Sequence, residues 1–275
     1  MKILISADME GISGVVNWDQ VTPGHAEYAR FRKIMTGDVN AAIRGAFNAG
    51  ADEVCVSDGH WFSSNILIEE LDPRAYLNSG DNAPLAMVQG IDGGVDGAIF
   101  VGYHARAGTS QAILDHTWSS SRVANLWLNN KLMGESGLNA ALCGHFNVPV
   151  IMLSGDEAVC AEALELLGTI EVAAVKRASS RTSAECLPPE KAQEKICEAA
   201  GKAVQRLAAG QFKEPFRMNT PVEVKLELVS SNMADRVVLL PGARRLDGRR
   251  VAFTSEDMLA AYLGMQAAID LAVLQ

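Results

Sequence analysis

Acidic and imidazole side chains occur in this sequence at positions from which they can bind metal ions together. Asp8 and Glu10 stand in the segment DMEG, His60 stands in SDGH, and His104 stands in GYHARAG. Residues two apart in an extended segment point to the same side, so the two carboxylates of DMEG can address one ion or two adjacent ions. Carboxylate oxygens and neutral imidazoles are ordinary zinc ligands. The chemistry that these residue types support is metal-assisted hydrolysis.

Each of these residues follows a short apolar run that predicts a buried strand. The predicted strands cover residues 2–7, 53–57, 97–102 and 148–154. Between the first two, apolar residues recur at every fourth position from Phe31 to Phe47, which is typical of an amphipathic helix. Functional groups gather beyond the carboxyl ends of parallel strands in such sheets. We therefore expect the four acidic and imidazole side chains to converge on one crevice.

The alternation of strands and helices predicts an α/β fold with a doubly wound, mostly parallel sheet in a three-layer αβα arrangement. Residues 124–134 have the pattern of a short antiparallel hairpin. A long helix over 188–209 and an alternating strand over 222–229 indicate a second, smaller α+β domain. We expect a metal-binding α/β catalytic domain at 1–168 and the α+β domain at 169–275.

Composition narrows the classes of function. The net charge is -9 and there is no run of Lys or Arg, which argues against nucleic acid as a partner. No segment approaches the ~20 apolar residues of a membrane span, and the apolar stretch at residues 3–5 is too short for a signal peptide. We expect a cytoplasmic protein. The five cysteines form no CxxC pair, so a thiolate zinc site is not indicated.

Each candidate residue also has an ordinary structural explanation. An aspartate directly after a strand often caps a helix or forms a turn, and a loop histidine is often a hydrogen-bonded surface group. The joint pattern favours the metal site, because two of only five histidines follow predicted strand ends together with an acidic pair.

Several linked motifs carry a resemblance to a known family. They are SADMEGISG at 6–14, SDGH at 57–60, GYHARAG at 102–108, GESGLNA at 134–140, and the later segments SGD and KRASSR. In this order and spacing the sequence resembles the zinc-dependent D-aminopeptidases of the bacterial dipeptide-transport operon type. The similarity runs through most of the chain.

The resemblance implies a site and an assembly. It implies a dinuclear zinc centre whose ligands correspond to Asp8, Glu10, His60, His104 and Glu135. It implies a catalytic histidine, which matches His116 in ILDHTW. It also implies a ring-shaped homo-oligomer, a decamer, whose active sites face an internal space.

Charge supports two zinc ions over one. Three carboxylates leave a single Zn²⁺ in an anionic site with more ligands than a tetrahedral ion needs. Two ions and a bridging hydroxide give a neutral site, with Asp8 shared between ions about 3.5–4 Å apart. His116 would then serve as acid/base or nucleophile, since an imidazole titrates near neutral pH.

The leading hypothesis is an aminopeptidase for short peptides with an N-terminal D-residue, with D-Ala-D-Ala as the substrate type that the family implies. One alternative is a two-metal phosphoesterase on an α/β fold, for which Arg106 is the candidate phosphate clamp. The other is a non-catalytic binding module for small molecules that contains a metal.

Overall fold

The computed structural model describes residues 1–212 and 214–273. Within these residues the chain forms twelve strands and six α-helices. The strands are β1 (Lys2–Ala7), β2 (Glu53–Asp58), β3 (Ala75–Asn78), β4 (Gly97–Tyr103), β5 (Val123–Leu128), β6 (Lys131–Leu132), β7 (Val150–Asp156), β8 (Glu171–Ser180), β9 (Ser183–Cys186), β10 (Val222–Leu228), β11 (Arg244–Arg245) and β12 (Arg250–Ser255). The helices are α1 (Tyr28–Asn48), α2 (Glu135–His145), α3 (Glu157–Leu167), α4 (Pro189–Ala208), α5 (Ser231–Val237) and α6 (Met258–Leu271).

The larger sheet has the strand order β3-β2-β1-β4-β7-β8-β9. Its strands run parallel except for β9, which is antiparallel to β8. The chain moves outward from β1 to β2 and β3, and then crosses to β4 on the other side of β1. The crevice at this reversal of strand order is where open α/β sheets bind ligands. The predicted doubly wound, mostly parallel sheet is confirmed.

Both faces of the larger sheet are covered, because successive side chains of a strand point to opposite faces. Ile3 and Ile5 of β1 pack with the buried side of α1 and with α4, whereas Leu4 belongs to the core on the opposite face with residues of α2 and α3. Burying each such aliphatic side chain contributes about 1.5–3 kcal/mol. The result is the expected three-layer αβα arrangement.

The smaller sheet is antiparallel and has the order β11-β12-β10-β5-β6. Asn129 and Asn130 connect β5 to β6 with φ angles of 47° and 65°, as a two-residue hairpin turn requires. The hairpin expected over 124–134 is therefore present, and it belongs to the smaller sheet. α5 and α6 pack against this sheet, and α6 also contacts α2.

Some elements beyond residue 168 belong to the larger sheet. β8 pairs with β7, β9 pairs with β8, and α4 packs against α1. We expected these elements in the α+β domain, because an apolar run predicts a strand but does not specify its neighbour. The division of the chain into 1–168 and 169–275 stays a prediction. None of the helices in the described ranges combines the length and apolar composition needed to cross a bilayer.

Candidate metal centre

The carboxyl ends of β1, β2 and β4 bring four of the predicted residues together. Asp8 directly follows β1, His104 directly follows β4, and His60 follows β2 after one intervening residue. The Nδ1 atom of His60 lies 3.2 Å from one carboxylate oxygen of Asp8 and 3.1 Å from Oε2 of Glu10. The Nε2 atom of His104 lies 3.5 Å from the other carboxylate oxygen of Asp8. Asp8 therefore lies between the two imidazoles, and all four side chains are buried.

A glycine permits this convergence. The loop after β1 lies directly on the end of β4, where the N–H of Gly11 donates to the carbonyl oxygen of Gly102 at 2.7 Å. A Cβ atom on Gly11 would lie 1.9 Å from the carbonyl oxygen of Tyr103, so no larger residue fits without moving the backbone. The contact brings Glu10 into the cluster.

Backbone carbonyls determine which ring nitrogen each of these histidines presents to the cluster. The Nε2 atom of His60 lies 2.7 Å from the carbonyl oxygen of Val21, and Nδ1 of His104 lies 3.0 Å from that of Ala105. A carbonyl only accepts, so each of these nitrogens carries the proton and donates it. The opposite nitrogen of each ring faces the carboxylates, and when the ring is neutral its lone pair is directed there, which is the arrangement that metal-binding histidines adopt.

Glu135 reaches the same cluster from the first residue of α2. Its Oε1 atom accepts a hydrogen bond from the backbone N–H of Trp118 at 2.7 Å and lies 3.1 Å from Nε2 of His104. Three carboxylates, those of Asp8, Glu10 and Glu135, therefore surround His104 and its neighbour His60.

His116 stacks on His104, with ring centroids 3.9 Å apart and planes inclined by 8°. Its Nδ1 atom donates to the carbonyl oxygen of Leu114 at 2.9 Å, which leaves Nε2 directed at Glu135 at a distance of 3.7 Å. Trp18 packs edge-on against the His116 ring. The structure thus brings His116, which lies in the loop after His104, beside the four strand-end residues.

Burial of three carboxylates together changes their protonation. Burial and the charge of Glu10 raise the pKa of Asp8 to about 7. Burial by itself disfavours the charged form of His104, but the charge and hydrogen bonding of Glu135 outweigh it and raise the pKa of His104 to about 10. The cluster therefore requires positive charge, which protons or metal ions can supply.

Three polar atoms of the cluster lack a hydrogen-bond partner. They are Oδ2 of Asp8, Oε2 of Glu10 and Nε2 of His104. In the described part of the chain only one other buried side-chain N or O atom, Oδ1 of Asp38, is in the same situation. An unpartnered buried polar atom is costly unless an ion or water satisfies it. Their concentration at one point fits a bound cation.

Two groups of side chains have ligand atoms close enough to share one metal ion each. His104, His116 and Glu135 form one group, and Asp8, Glu10 and His104 form the other, with ligand atoms within 4.8 Å of one another. His60 falls outside both groups, although its Nδ1 atom contacts the carboxylates. His116, expected as a catalytic residue, falls inside one.

The cluster lies in a cavity of about 510 Å³. Aromatic side chains of Trp18, Trp61 and Phe62 line it, together with residues 118–122 and the last turn of α6. Arg106, the candidate phosphate clamp, does not line this cavity. Its guanidinium pairs with Glu162 at 3.1 Å. The geometry therefore gives no support to Arg106 as a phosphate-binding residue.

Lys176 is a residue of this site to which the sequence assigned no role. Its buried Nζ atom donates to the carbonyl oxygens of Glu10, Ile12 and Val15 at 2.6, 2.9 and 2.8 Å. Burial lowers the pKa of Lys176 to about 8. Its three bonds hold the loop that carries Glu10. A lysine inside the apolar run VAAVKRA was the signal that could have identified it.

Comparisons with known proteins agree with one another. The family model described as D-aminopeptidase matches residues 1–267. A D-aminopeptidase of Bacillus subtilis (strain 168) is 38% identical over 277 residues, covering 99% of this chain and 98% of that protein. A solved structure, the Zn-dependent D-aminopeptidase DppA from Bacillus subtilis, described as a self-compartmentalizing protease, superposes with a TM-score of 0.94 at 38% identity and covers 99% of this chain and 98% of its own.

Proposed function

This chain belongs to the D-aminopeptidase family, and from that premise we propose that it is a zinc-dependent aminopeptidase for short peptides with an N-terminal D-residue, of the D-Ala-D-Ala type. The buried cluster at the carboxyl ends of β1, β2 and β4 is the observation that carries the proposal. Its three unpartnered polar atoms and its excess of carboxylates call for a cation in the place where α/β folds bind ligands.

Five residues would hold two zinc ions: Asp8, Glu10, His60, His104 and Glu135. The position of Asp8 supports its sharing between the ions, because one of its oxygens faces His60 and the other faces His104. Three negative charges from the carboxylates balance most of the charge of two divalent ions, whereas a single ion would leave the site anionic. The bonds from Nε2 of His60 and Nδ1 of His104 to carbonyl oxygens support the other nitrogen of each ring as the one that would bind zinc.

When bound, zinc in such a site polarises the scissile carbonyl and lowers the pKa of a bound water from ~15.7 toward ~7. The chain's own residues supply the rest of the chemistry. The aromatic side chains of Trp18, Trp61 and Phe62 give the cavity apolar walls for a small peptide.

His116 would move the proton that reaches the leaving amine. Its Nδ1 atom is bound to the carbonyl oxygen of Leu114, so Nε2 is the atom that can accept and return a proton. Burial lowers the pKa of His116, which favours the neutral ring. Its stacking on His104 supports a role at the reacting atoms.

The protein would work as a homo-oligomer in the cytoplasm. The description of the Bacillus subtilis DppA structure as self-compartmentalizing supports self-association, and we propose a ring, a decamer, with active sites that face an internal space. Analytical ultracentrifugation of the purified protein tests the number of subunits, and a monomer at micromolar concentration would contradict it.

Paired substrate assays test the function. Purified protein should release D-alanine from D-Ala-D-Ala, should lose this activity on chelation, and should regain it when zinc is returned. L-Ala-L-Ala and p-nitrophenyl phosphate serve as controls for stereochemistry and for the phosphoesterase alternative. Faster hydrolysis of the L-dipeptide or of the phosphate ester would contradict the proposal.

A further inference from the structure

One wall of the cavity that holds the acidic cluster carries a cation. Of the residues that the structure describes, Arg122 is the sole arginine or lysine that lines this cavity. Its side chain is 34% exposed, so it is partly shielded from solvent. Arg122 and the carboxylates of the acidic cluster line the same cavity.

The backbone and one bond of the guanidinium hold Arg122 in place. Its N–H donates to the carbonyl oxygen of Ser119 at 3.1 Å, and its carbonyl oxygen accepts from the N–H of Val229 at 2.9 Å. Nη1 donates to the carbonyl oxygen of Ile269 near the end of α6 at 3.1 Å. No described residue accepts a hydrogen bond from Nε or Nη2.

The nearby carboxylate of Asp270 makes only a weak ion pair with the guanidinium of Arg122. Asp270 lies 3.9 Å from Nη1 of Arg122, and its side chain is 83% exposed. An ion pair at this distance in solvent contributes little, and it is screened by salt. Arg122 therefore keeps donors for another anion.

The proposed substrate supplies such an anion. A short peptide whose N-terminus lies at the acidic cluster has its C-terminal carboxylate only a few bonds away, inside the same cavity. A guanidinium matches a carboxylate in shape and binds it through paired, charge-assisted hydrogen bonds. We propose that Arg122 binds the C-terminal carboxylate of the substrate, so that the enzyme selects short peptides with a free C-terminus. This inference rests on the proposed aminopeptidase function.

The experiment compares D-Ala-D-Ala with its C-terminal amide, which keeps the scissile bond and removes the charge. Disappearance of each dipeptide, followed by chromatography, gives kcat/KM for each substrate with the wild type, Arg122→Gln and Arg122→Lys. Arg236→Gln is the matched control, because the Arg236 side chain likewise donates to a carbonyl oxygen near the end of α6, that of Leu271, but does not line the cavity.

Wild type and Arg236→Gln should prefer the free acid by about tenfold to a hundredfold, the worth of a charge-assisted hydrogen bond. Arg122→Gln should hydrolyse both substrates equally, and Arg122→Lys should keep part of the preference. Equal hydrolysis of both substrates by the wild type overturns the proposed role of Arg122 and leaves the aminopeptidase function standing. This result needs no variant, so it holds even if the variants fail to fold. A preference retained in Arg122→Gln overturns it as well. If the wild type hydrolyses neither substrate, the proposed function fails together with this inference.

Discussion

The surroundings of His116 fit two roles at this site, that of a proton carrier and that of a metal ligand. The two roles predict different zinc contents when the side chain is removed. As a carrier of protons it needs a free Nε2 atom, which the bond from Nδ1 to Leu114 provides. As a metal ligand it would complete the group with His104 and Glu135. A single substitution separates the two roles, since only loss of a ligand lowers the zinc content.

We expect His116→Ala to lower kcat by about 10²–10⁴-fold while the zinc content per chain stays unchanged. The reason is the loss of proton transfer to the leaving amine. Steady-state kinetics and elemental analysis of the same sample measure both quantities. His25→Ala, which removes an exposed imidazole beside Asp19, is the control and should match the wild type. Loss of zinc along with activity in His116→Ala would make it a ligand.

The loop that carries Glu10 depends on Lys176. We expect Lys176→Met to lower the free energy of unfolding by about 3 kcal/mol, because three buried carbonyl oxygens lose their donor. Urea denaturation gives the value. Lys202→Met, on the exposed side of α4, should change it by less than about 0.5 kcal/mol. Equal stability of the two variants would show that the hydrogen bonds of Lys176 contribute little to the free energy of unfolding.

The sequence predicted only part of the site at this scale. Asp8 and His104 could be placed together because each follows a strand, and strand ends meet at one edge of a parallel sheet. Glu135 entered from the family resemblance, since the chain before α2 contributes a hairpin to the other sheet. His116 entered from it as well, because it lies in the loop between β4 and β5 and not directly after a strand. Lys176 was missed because its partners are backbone carbonyl oxygens. Every residue has one, so the sequence does not show which of them a lysine binds.

At the scale of elements, the contact between the loop after β1 and the end of β4 forms the site. We expect Gly11→Ala to lower the free energy of unfolding by about 3 kcal/mol and to reduce zinc binding, because the added Cβ would meet the Tyr103 carbonyl oxygen at 1.9 Å. Differential scanning calorimetry and zinc titration measure the two effects. Gly248→Ala, where nothing lies within 4 Å, is the control. Normal zinc binding by Gly11→Ala would show that this contact does not position Glu10.

Strands with long apolar runs were predictable, and their partners were less so. β1, β2, β4 and β7 could be predicted because burial on both faces requires a continuous apolar run. β3 is only four residues long and mostly half-buried, so it gives no such pattern. β8 joins the larger sheet through pairing with β7. Backbone hydrogen bonds form whatever the side chains are, so the sequence does not identify the partner strand.

At the scale of the whole molecule, metal binding and folding stability are linked. We expect chelation to lower the melting temperature by about 10–20 °C, since each of two ions at a hundredfold excess over its Kd adds about 2.7 kcal/mol and their loss leaves buried carboxylates facing one another. Calorimetry with a chelator, followed by return of zinc, measures the shift. A melting temperature that does not respond to chelation would contradict a structural contribution from the ion.

More of the fold than of the oligomeric assembly could be predicted from the sequence. The strand-helix alternation predicted a three-layer αβα arrangement and a second, smaller α+β domain. Self-association depends on how surfaces of separate copies fit, which periodicity along one chain does not encode. Similarity to a relative described as self-compartmentalizing supports self-association, and the ring and its subunit number stay a prediction.

The central claim is that the buried cluster holds two zinc ions, with Asp8 shared between them. The most direct measurement is equilibrium dialysis of chelator-treated protein against buffered zinc, with elemental analysis of zinc per chain. The account predicts two ions in the wild type, at most one in Asp8→Asn, and two in the control Glu69→Gln on the exposed surface. A wild type that binds no zinc, or an Asp8→Asn variant that still binds two, would contradict it.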